Sequence, residues 1–153
     1  MGKIEDKLQA MGIVIPQPTP PKGNYCLFVK QGNLLHLCGH IPSTPDGLIK
    51  GKLGKDLTVD QGYNSAKTCA INILGTLQSV VGTLDKVVKI VKIVGFVNCT
   101  DDFEQQPAVI NGASDFFVEV FGEKGKHARS AVGTNALPLG IATEVECIVE
   151  IEE

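Results

Sequence analysis

A chain of 153 residues that is 43% hydrophobic and 20% charged has the length and composition of one globular domain with its own core. The net charge of −3 and the absence of Trp disfavour nucleic-acid binding, which relies on clustered basic and aromatic side chains. No apolar run is long enough to cross a bilayer. The five cysteines are odd in number and form no CxxC pair. That pattern indicates reduced thiols, so we expect a cytoplasmic protein.

The first half of the chain predicts a short helix, a β-hairpin and an irregular loop. Helical spacing of Ile4, Leu8 and Met11 predicts a helix over residues 3–11. The proline-rich run "IPQPTPPKGN" must then be extended. Two β-rich runs, "YCLFVK" and "LLHLCGHI", are separated by "QGN", which is typical of a hairpin. The Gly- and Pro-rich stretch "PSTPDGLIKGKLGKD" predicts a loop or an irregular hairpin.

The clearest element is a long amphipathic helix. Thr58 followed three residues later by Gln61 forms a capping box, and apolar residues recur at helical spacing as far as Gly82. The next run, "KVVKIVKIVGFVN", is apolar on both faces and predicts an interior strand. A second helix is expected from about Pro107 to Gly122.

Two further strands, "HARSAVG" and "ATEVECIVEIE", complete the order ββαβαββ. This order predicts an α+β domain with a largely antiparallel sheet that carries its two main helices on one face. In the last strand, the apolar residues of one face should lie under the helices; they are Thr143, Val145, Cys147, Val149 and Ile151.

Arg129 is the only arginine in the chain, since the other 13 basic residues are lysine. If the last two strands pair as a hairpin, Arg129 and a glutamate face the same side of the sheet, which a second subunit would cover. One interpretation is a surface ion pair with Glu144 or Glu146, contributing about 0–1 kcal/mol. The other is a ligand site, because small neighbours leave room and the planar guanidinium matches a carboxylate.

A second candidate constellation is "HLCGH", in which strand alternation places His36, Cys38 and His40 on one face. Three such ligands suit zinc or copper. Since no second cluster accompanies them, we interpret them instead as polar residues of a pocket or turn and predict no metal. We expect Cys26, Cys69 and Cys147 to pack as small apolar residues.

Several motifs, in order, resemble the Rid family (reactive intermediate deaminases, YjgF-like). "ARSAVG", "LPLG" and "TEVEC" are spaced like the closing strands of that family. "GNYCLFVKQGNLLHLCGHIP" is similar to its first hairpin, which ends in a Gly-x-Ile-Pro turn. The resemblance covers about residues 23–151, which makes residues 1–153 a single Rid-like domain with residues 1–22 as an N-terminal extension. The extension and the enlarged loop at 42–56 are typical of a divergent branch.

This resemblance implies a chorismate-mutase-like fold assembled as a homotrimer, with ligand sites in clefts between subunits. It implies hydrolysis of 2-imino or 2-enamino acids, such as 2-aminoacrylate, to 2-keto acids and ammonia, without a cofactor. The partners would be a small 2-imino or 2-keto acid and other copies of the chain. Two alternatives stay open: a non-catalytic protein that binds or senses small carboxylates, and a ribonuclease, which the acidic balance disfavours.

The resemblance also assigns site residues. Arg129 falls on the arginine that binds the substrate carboxylate, and Glu144 on the acid that positions or activates water. Four positions would line the pocket: Tyr25, Cys38, Gly39 and Asn111. Better-studied relatives often carry a reactive cysteine two residues after the arginine; here that residue is Ala131, and the proposed hydrolysis needs no thiol.

Overall fold

The computed structural model describes residues 2–153 and contains every helix and main strand that the sequence predicts. In chain order the elements are α1 (Lys3–Ala10), β1 (Phe28–Gln31), β2 (Leu34–His40), β3 (Ser43–Thr44), β4 (Gly47–Leu48), α2 (Val59–Val81), β5 (Val87–Asn98), α3 (Gln106–Phe121), β6 (Ala128–Thr134) and β7 (Thr143–Ile151). The loop after β2 is an irregular hairpin in which β3 pairs with β4. Among residues 2–153, no helix combines the length and apolar character that crossing a bilayer requires.

The five-stranded sheet has the order β1-β2-β7-β5-β6, and all its neighbours are antiparallel except β5 and β6. The predicted hairpin of the last two strands is therefore wrong. The helix α3 connects β5 to β6 as a crossover, which returns the chain to the same end of the sheet and makes β6 parallel to β5. The last strand then leaves this edge and pairs with β2 and β5.

Both main helices lie on one face of the sheet, as expected. The predicted apolar face of β7 is buried beneath them, and Val145 and Val149 are fully inaccessible. Thr58 begins α2 with the predicted capping box: its hydroxyl accepts from the Gln61 N–H, and the Gln61 side chain accepts from the Thr58 N–H. These signals were readable because caps and periodicity are local.

Gly112 sets the distance between the two main helices. A Cβ atom at this position would overlap with the Tyr63 carbonyl oxygen of α2. Only a residue without a side chain lets α3 approach α2 so closely. This contact fixes the position of α3 over β5 and β6, and therefore the position of every side chain that α3 directs at the sheet edge.

The N-terminal helix is fastened to the domain by two reciprocal sets of hydrogen bonds. The Asp85 carboxylate accepts from the N–H groups of Lys3 and Ile4, both at 2.8 Å, and so caps α1. In return, the buried Glu5 carboxylate accepts from the Leu84 N–H at 2.7 Å and from the Thr83 hydroxyl at 2.8 Å. Leu8 is fully buried in the same core cluster as the sheet and main helices.

Replacing Glu5 with alanine should lower the free energy of unfolding by about 1–3 kcal/mol, because the buried Leu84 N–H loses its acceptor. Burial alone would raise the pKa of Glu5, but hydrogen bonds from Leu84, Thr83 and Gln78 together hold this pKa below its usual value. The stabilisation is therefore complete above the unfolded pKa of about 4.3. It is lost as the pH falls through the lower folded pKa.

Urea unfolding at neutral pH and at successively lower pH values measures this effect. The control is Asp6→Ala on the exposed side of the same helix, which should change stability by less than about 0.5 kcal/mol. Equal losses for the two variants would contradict the assignment.

Candidate functional site

Arg129 lies on the helix-covered side of the sheet edge, against α3. Its cross-strand partner on β5 is Ile93, which is fully buried beneath the helices. The partly buried guanidinium donates from Nη1 to Asn111 Oδ1 at 2.8 Å and to Ser114 Oγ at 3.1 Å. Asn111 and Ser114 are three residues apart on α3 and so share one helix face.

Glu144 lies on the opposite side of the sheet. Its partner on β5 is Phe96, whose partner on β6 is Val132; these residues face away from the helices. The expectation that Arg129 shares a sheet face with a glutamate of its own chain is therefore wrong. The physical reason is register: because side chains alternate, pairing Ile93 with Arg129 commits Arg129 to the buried side.

The interpretation of Arg129 as half of a surface ion pair is also wrong. Within residues 2–153 the one salt bridge joins Lys126 to Glu123 at 3.0 Å. The two hydrogens of Arg129 Nη1 are directed to Asn111 and Ser114, while Nε and Nη2 make no hydrogen bond to the described residues. The unused edge carries two parallel N–H donors, the arrangement that binds a carboxylate through two hydrogen bonds.

A second group of predicted site residues lies on the open face of the sheet, where β2 and β7 meet. The Glu144 carboxylate packs directly against the Gly39 backbone, since a Cβ atom there would overlap with Glu144 Oε2. Burial, and then the charge of Glu146, raises the pKa of Glu144. Burial also raises the pKa of the Cys38 thiol, and the charges of Glu144 and Glu146 raise it further.

The predicted residues thus form two groups in a single chain. Arg129 and Asn111 are in contact at one edge of the sheet, whereas Cys38, Gly39 and Glu144 lie on its other face. From β6 there are two strand spacings to β7, which carries Glu144, and three to β2, or about 10 and 14 Å. Tyr25 precedes the opposite edge strand and is 53% exposed. Their roles in binding and catalysis stay predictions, and one chain does not bring the two groups together.

Sequence reasoning missed Ser114, although a usable signal existed. Ser114 is three residues after Asn111, the spacing that places two residues on the same face of a helix. His127, two residues before Arg129 on its strand face, belongs to the same cluster: its Nε2 is 2.9 Å from Ser114 Oγ. The missing information was which face of α3 meets β6, which only tertiary packing decides.

The three residues of "HLCGH" do not converge as strand alternation suggested. A β-bulge between Leu37 and His40 turns His40 towards the helices, where its ring bonds the Cys38 carbonyl and the Thr76 hydroxyl of α2, each at 2.8 Å. Burial lowers the pKa of His40. Within residues 2–153 no three His, Cys, Asp or Glu side chains cluster closely enough to hold a metal ion.

The cysteines follow the expectation in two of three cases. Cys69 and Cys147 are buried in the core, and burial raises the pKa of Cys69 to about 12, as for an inert thiol. Cys26 is exposed, so its predicted packing is wrong. It precedes β1, which is an edge strand of the sheet.

The model of the family described as "YjgF/chorismate mutase-like, putative endoribonuclease" matches residues 5–151. The chain belongs to the YjgF family. It is 41% identical over 152 residues to Protein TCP17 of Trypanosoma cruzi, covering 98% of this chain and 95% of that protein. The family fold is the chorismate-mutase-like α+β fold that the sequence predicts, here with a mixed sheet and three helices.

Two solved structures show how this family member relates to others. A putative endoribonuclease from Shewanella oneidensis shares 29% identity and a TM-score of 0.94, covering 98% of this chain and 100% of that one. RidA from an Antarctic Psychrobacter shares 27% identity with a TM-score of 0.60, covering 88% and 94%. The first match spans nearly the whole chain, so it includes most of the segment before β1.

The acidic pair on the open face of this YjgF-family protein can be tested directly. Glu146→Gln should lower the pKa of Glu144, because one negative charge near the ionised carboxylate is removed. The pKa should remain above the usual value for glutamate, since burial is the larger cause. Carboxyl ¹³C NMR titration measures both shifts. Glu150→Gln, farther along the same strand face, is the control, and an equal fall in both variants would contradict the pairing.

Proposed function

We propose that this YjgF-family protein hydrolyses small 2-imino or 2-enamino acids to 2-keto acids and ammonia. The observation that carries the proposal is Arg129, whose Nη1 is held by α3 while its Nε and Nη2 have no partner among residues 2–153. A guanidinium with one edge anchored and the other open is organised for a carboxylate. A carboxylate beside the reacting C=N bond is what distinguishes 2-imino acids from other imines.

The chemistry needs orientation and proton transfer more than a strong nucleophile. Once its nitrogen is protonated, the imine carbon is electrophilic, and water adds to it to give a tetrahedral 2-amino-2-hydroxy acid. The C–N bond then breaks, releasing ammonia and leaving the keto acid. Arg129 would hold the carboxylate through charge-assisted bonds of about 1.5–3 kcal/mol each. Glu144 would take a proton from the attacking water and return one to the leaving nitrogen.

The raised pKa of Glu144 favours this role, because a group that both accepts and donates a proton works best when its pKa lies near the operating pH. The carboxylate lies against the Gly39 backbone, which restricts its position. The buried thiols of Cys69 and Cys147 play no part in this scheme.

A homotrimer with sites between subunits is part of the proposal. Arg129 and Glu144 face opposite sides of one sheet, so a site containing both requires a second copy to supply one of them. The open face also carries apolar side chains, and Val132 is 43% exposed there. Such a face is suited to burial against another subunit.

The separation of the two groups also supports the alternative of a non-catalytic carboxylate-binding protein. If no neighbouring copy brings Glu144 to Arg129, the arginine edge can still bind a keto acid without turning over an imine.

A third possible function is RNA cleavage, because the family description includes the word endoribonuclease. The net charge of −3 disfavours binding to RNA phosphates. Nuclease activity that survives Arg129→Ala and stringent purification would revive it.

Arg129→Lys should reduce kcat/KM for imine hydrolysis by about tenfold to a hundredfold, since the variant keeps the charge but loses the paired donors. A pyridoxal-phosphate threonine dehydratase supplies the imine, and keto-acid release is followed with and without this protein. Lys126→Ala, an exposed basic residue paired with Glu123, is the control and should not change the rate. If the wild-type protein binds a keto acid but does not accelerate keto-acid formation from the imine, the non-catalytic binding alternative is correct.

Complementation tests whether the site is shared between copies. Arg129→Ala and Glu144→Gln should each be nearly inactive alone, whereas mixed assemblies refolded together should recover part of the activity, because some interfaces receive both intact residues. Subunit exchange is confirmed by native mass spectrometry. Hybrids that form and remain inactive would contradict a shared site.

A further inference from the structure

His127 and Ser114 continue the hydrogen-bond chain that begins at Arg129. His127 Nδ1 is 2.6 Å from the Gly125 carbonyl oxygen, and its Nε2 is 2.9 Å from Ser114 Oγ. A carbonyl oxygen only accepts, so Nδ1 carries the ring hydrogen and Nε2 of the neutral ring is an acceptor. The Ser114 hydroxyl therefore donates to Nε2, and its oxygen accepts from Arg129 Nη1 at 3.1 Å.

The position of the His127 ring is fixed by its surroundings. It lies edge-on to the Phe117 ring, with 6.2 Å between ring centroids. Burial lowers the pKa of His127, and the positive charges of Arg129 and Lys89 lower it further, against the opposing bond to Gly125. The neutral ring, which can accept from Ser114, is thus the form that these neighbours favour.

We propose that Ser114 and His127 are positioning residues that select which edge of Arg129 meets the ligand carboxylate. The inference rests on the proposed function, since it assigns Arg129 a carboxylate ligand. Asn111 and Ser114 use both hydrogens of Nη1, so the guanidinium offers Nε and Nη2 to the ligand. The direction of the Ser114 hydroxyl is in turn fixed by His127, which receives its hydrogen.

This arrangement restricts the orientation in which a carboxylate can bind Arg129. A carboxylate can bind side-on, in the plane of the guanidinium, and the end formed by the two Nη atoms is closed to it. Removing Ser114 leaves one bond from Asn111, about which the guanidinium can turn. The ligand would then bind a less ordered cation, with loss of preorganisation.

Binding of 2-oxobutanoate by isothermal titration calorimetry tests the effect on affinity. Ser114→Ala should raise Kd by about two- to tenfold, while Ser114→Thr, which keeps the hydroxyl, should stay near the wild-type value. If the carboxylate is held equally in the ground and transition states, KM should rise by the same factor with kcat nearly unchanged. Ser79→Ala is the control, because Ser79 on α2 bonds only the Thr76 carbonyl.

The role of His127 as acceptor for the Ser114 hydroxyl is tested by a second pair of variants. His127→Phe keeps a ring against Phe117 but removes the acceptor, and should weaken 2-oxobutanoate binding. His127→Gln places an acceptor oxygen near the former Nε2 and should restore it. Equal Kd values for wild type, Ser114→Ala and His127→Phe would overturn the inference.

A ¹⁵N NMR measurement separates this inference from the proposed function. In the wild type, His127 should show the neutral Nδ1–H tautomer, and Arg129 should give two distinct Nη signals because rotation about its Cζ–Nε bond is slow. In Ser114→Ala the Nη signals should broaden towards one another and the His127 Nε2 signal should shift. If these spectral changes occur but the protein does not hydrolyse imines, the positioning role stands and the proposed deaminase activity is wrong. If the spectra are unchanged in a protein that hydrolyses imines, the positioning role is wrong and the proposed activity stands.

Discussion

The pairing of Ile93 with Arg129 across β5 and β6 decides where the chain's only guanidinium can act. Because side chains alternate along a strand, a slip of one residue would carry Arg129 to the open face, among the glutamates. The observed register directs it instead at α3, whose close approach to α2 depends on Gly112. Asn111 and Ser114 then hold one nitrogen of the guanidinium, and the opposite edge remains available.

The two charged residues of the candidate site, Arg129 and Glu144, do not neutralise each other within one chain. Arg129 has no carboxylate partner among residues 2–153, and on the other face burial and Glu146 raise the pKa of Glu144. Within the described part of the chain, Arg129 therefore lacks an anionic partner, and Glu144 lacks a cationic one. Both features favour a ligand or a second copy of the chain that supplies the opposite charge. The proposed shared site accounts for both through one arrangement, in which a small acid binds the arginine and a neighbouring subunit supplies the glutamate.

The segment before β1 is joined to the rest of the domain by hydrogen bonds in both directions. The Asp85 carboxylate accepts from the first N–H groups of α1. The Glu5 carboxylate of α1 accepts from the Leu84 N–H in the turn that contains Asp85. Each element therefore provides acceptors for N–H groups of the other. In this protein, residues that the sequence presented as an extension contribute Leu8 to the core.

The sequence by itself determined the elements and the family. Caps, periodicity and turn residues act within a few positions, which is why Thr58 and Gly82 marked the long helix and the apolar alternation of β7 marked its buried face. The tertiary structure alone decided that β7 lies between β2 and β5, that Arg129 faces the helices, and that a bulge turns His40 away from His36 and Cys38. These outcomes depend on which distant strand offers a partner and in which register, and a single strand's residue pattern fits either neighbour equally well.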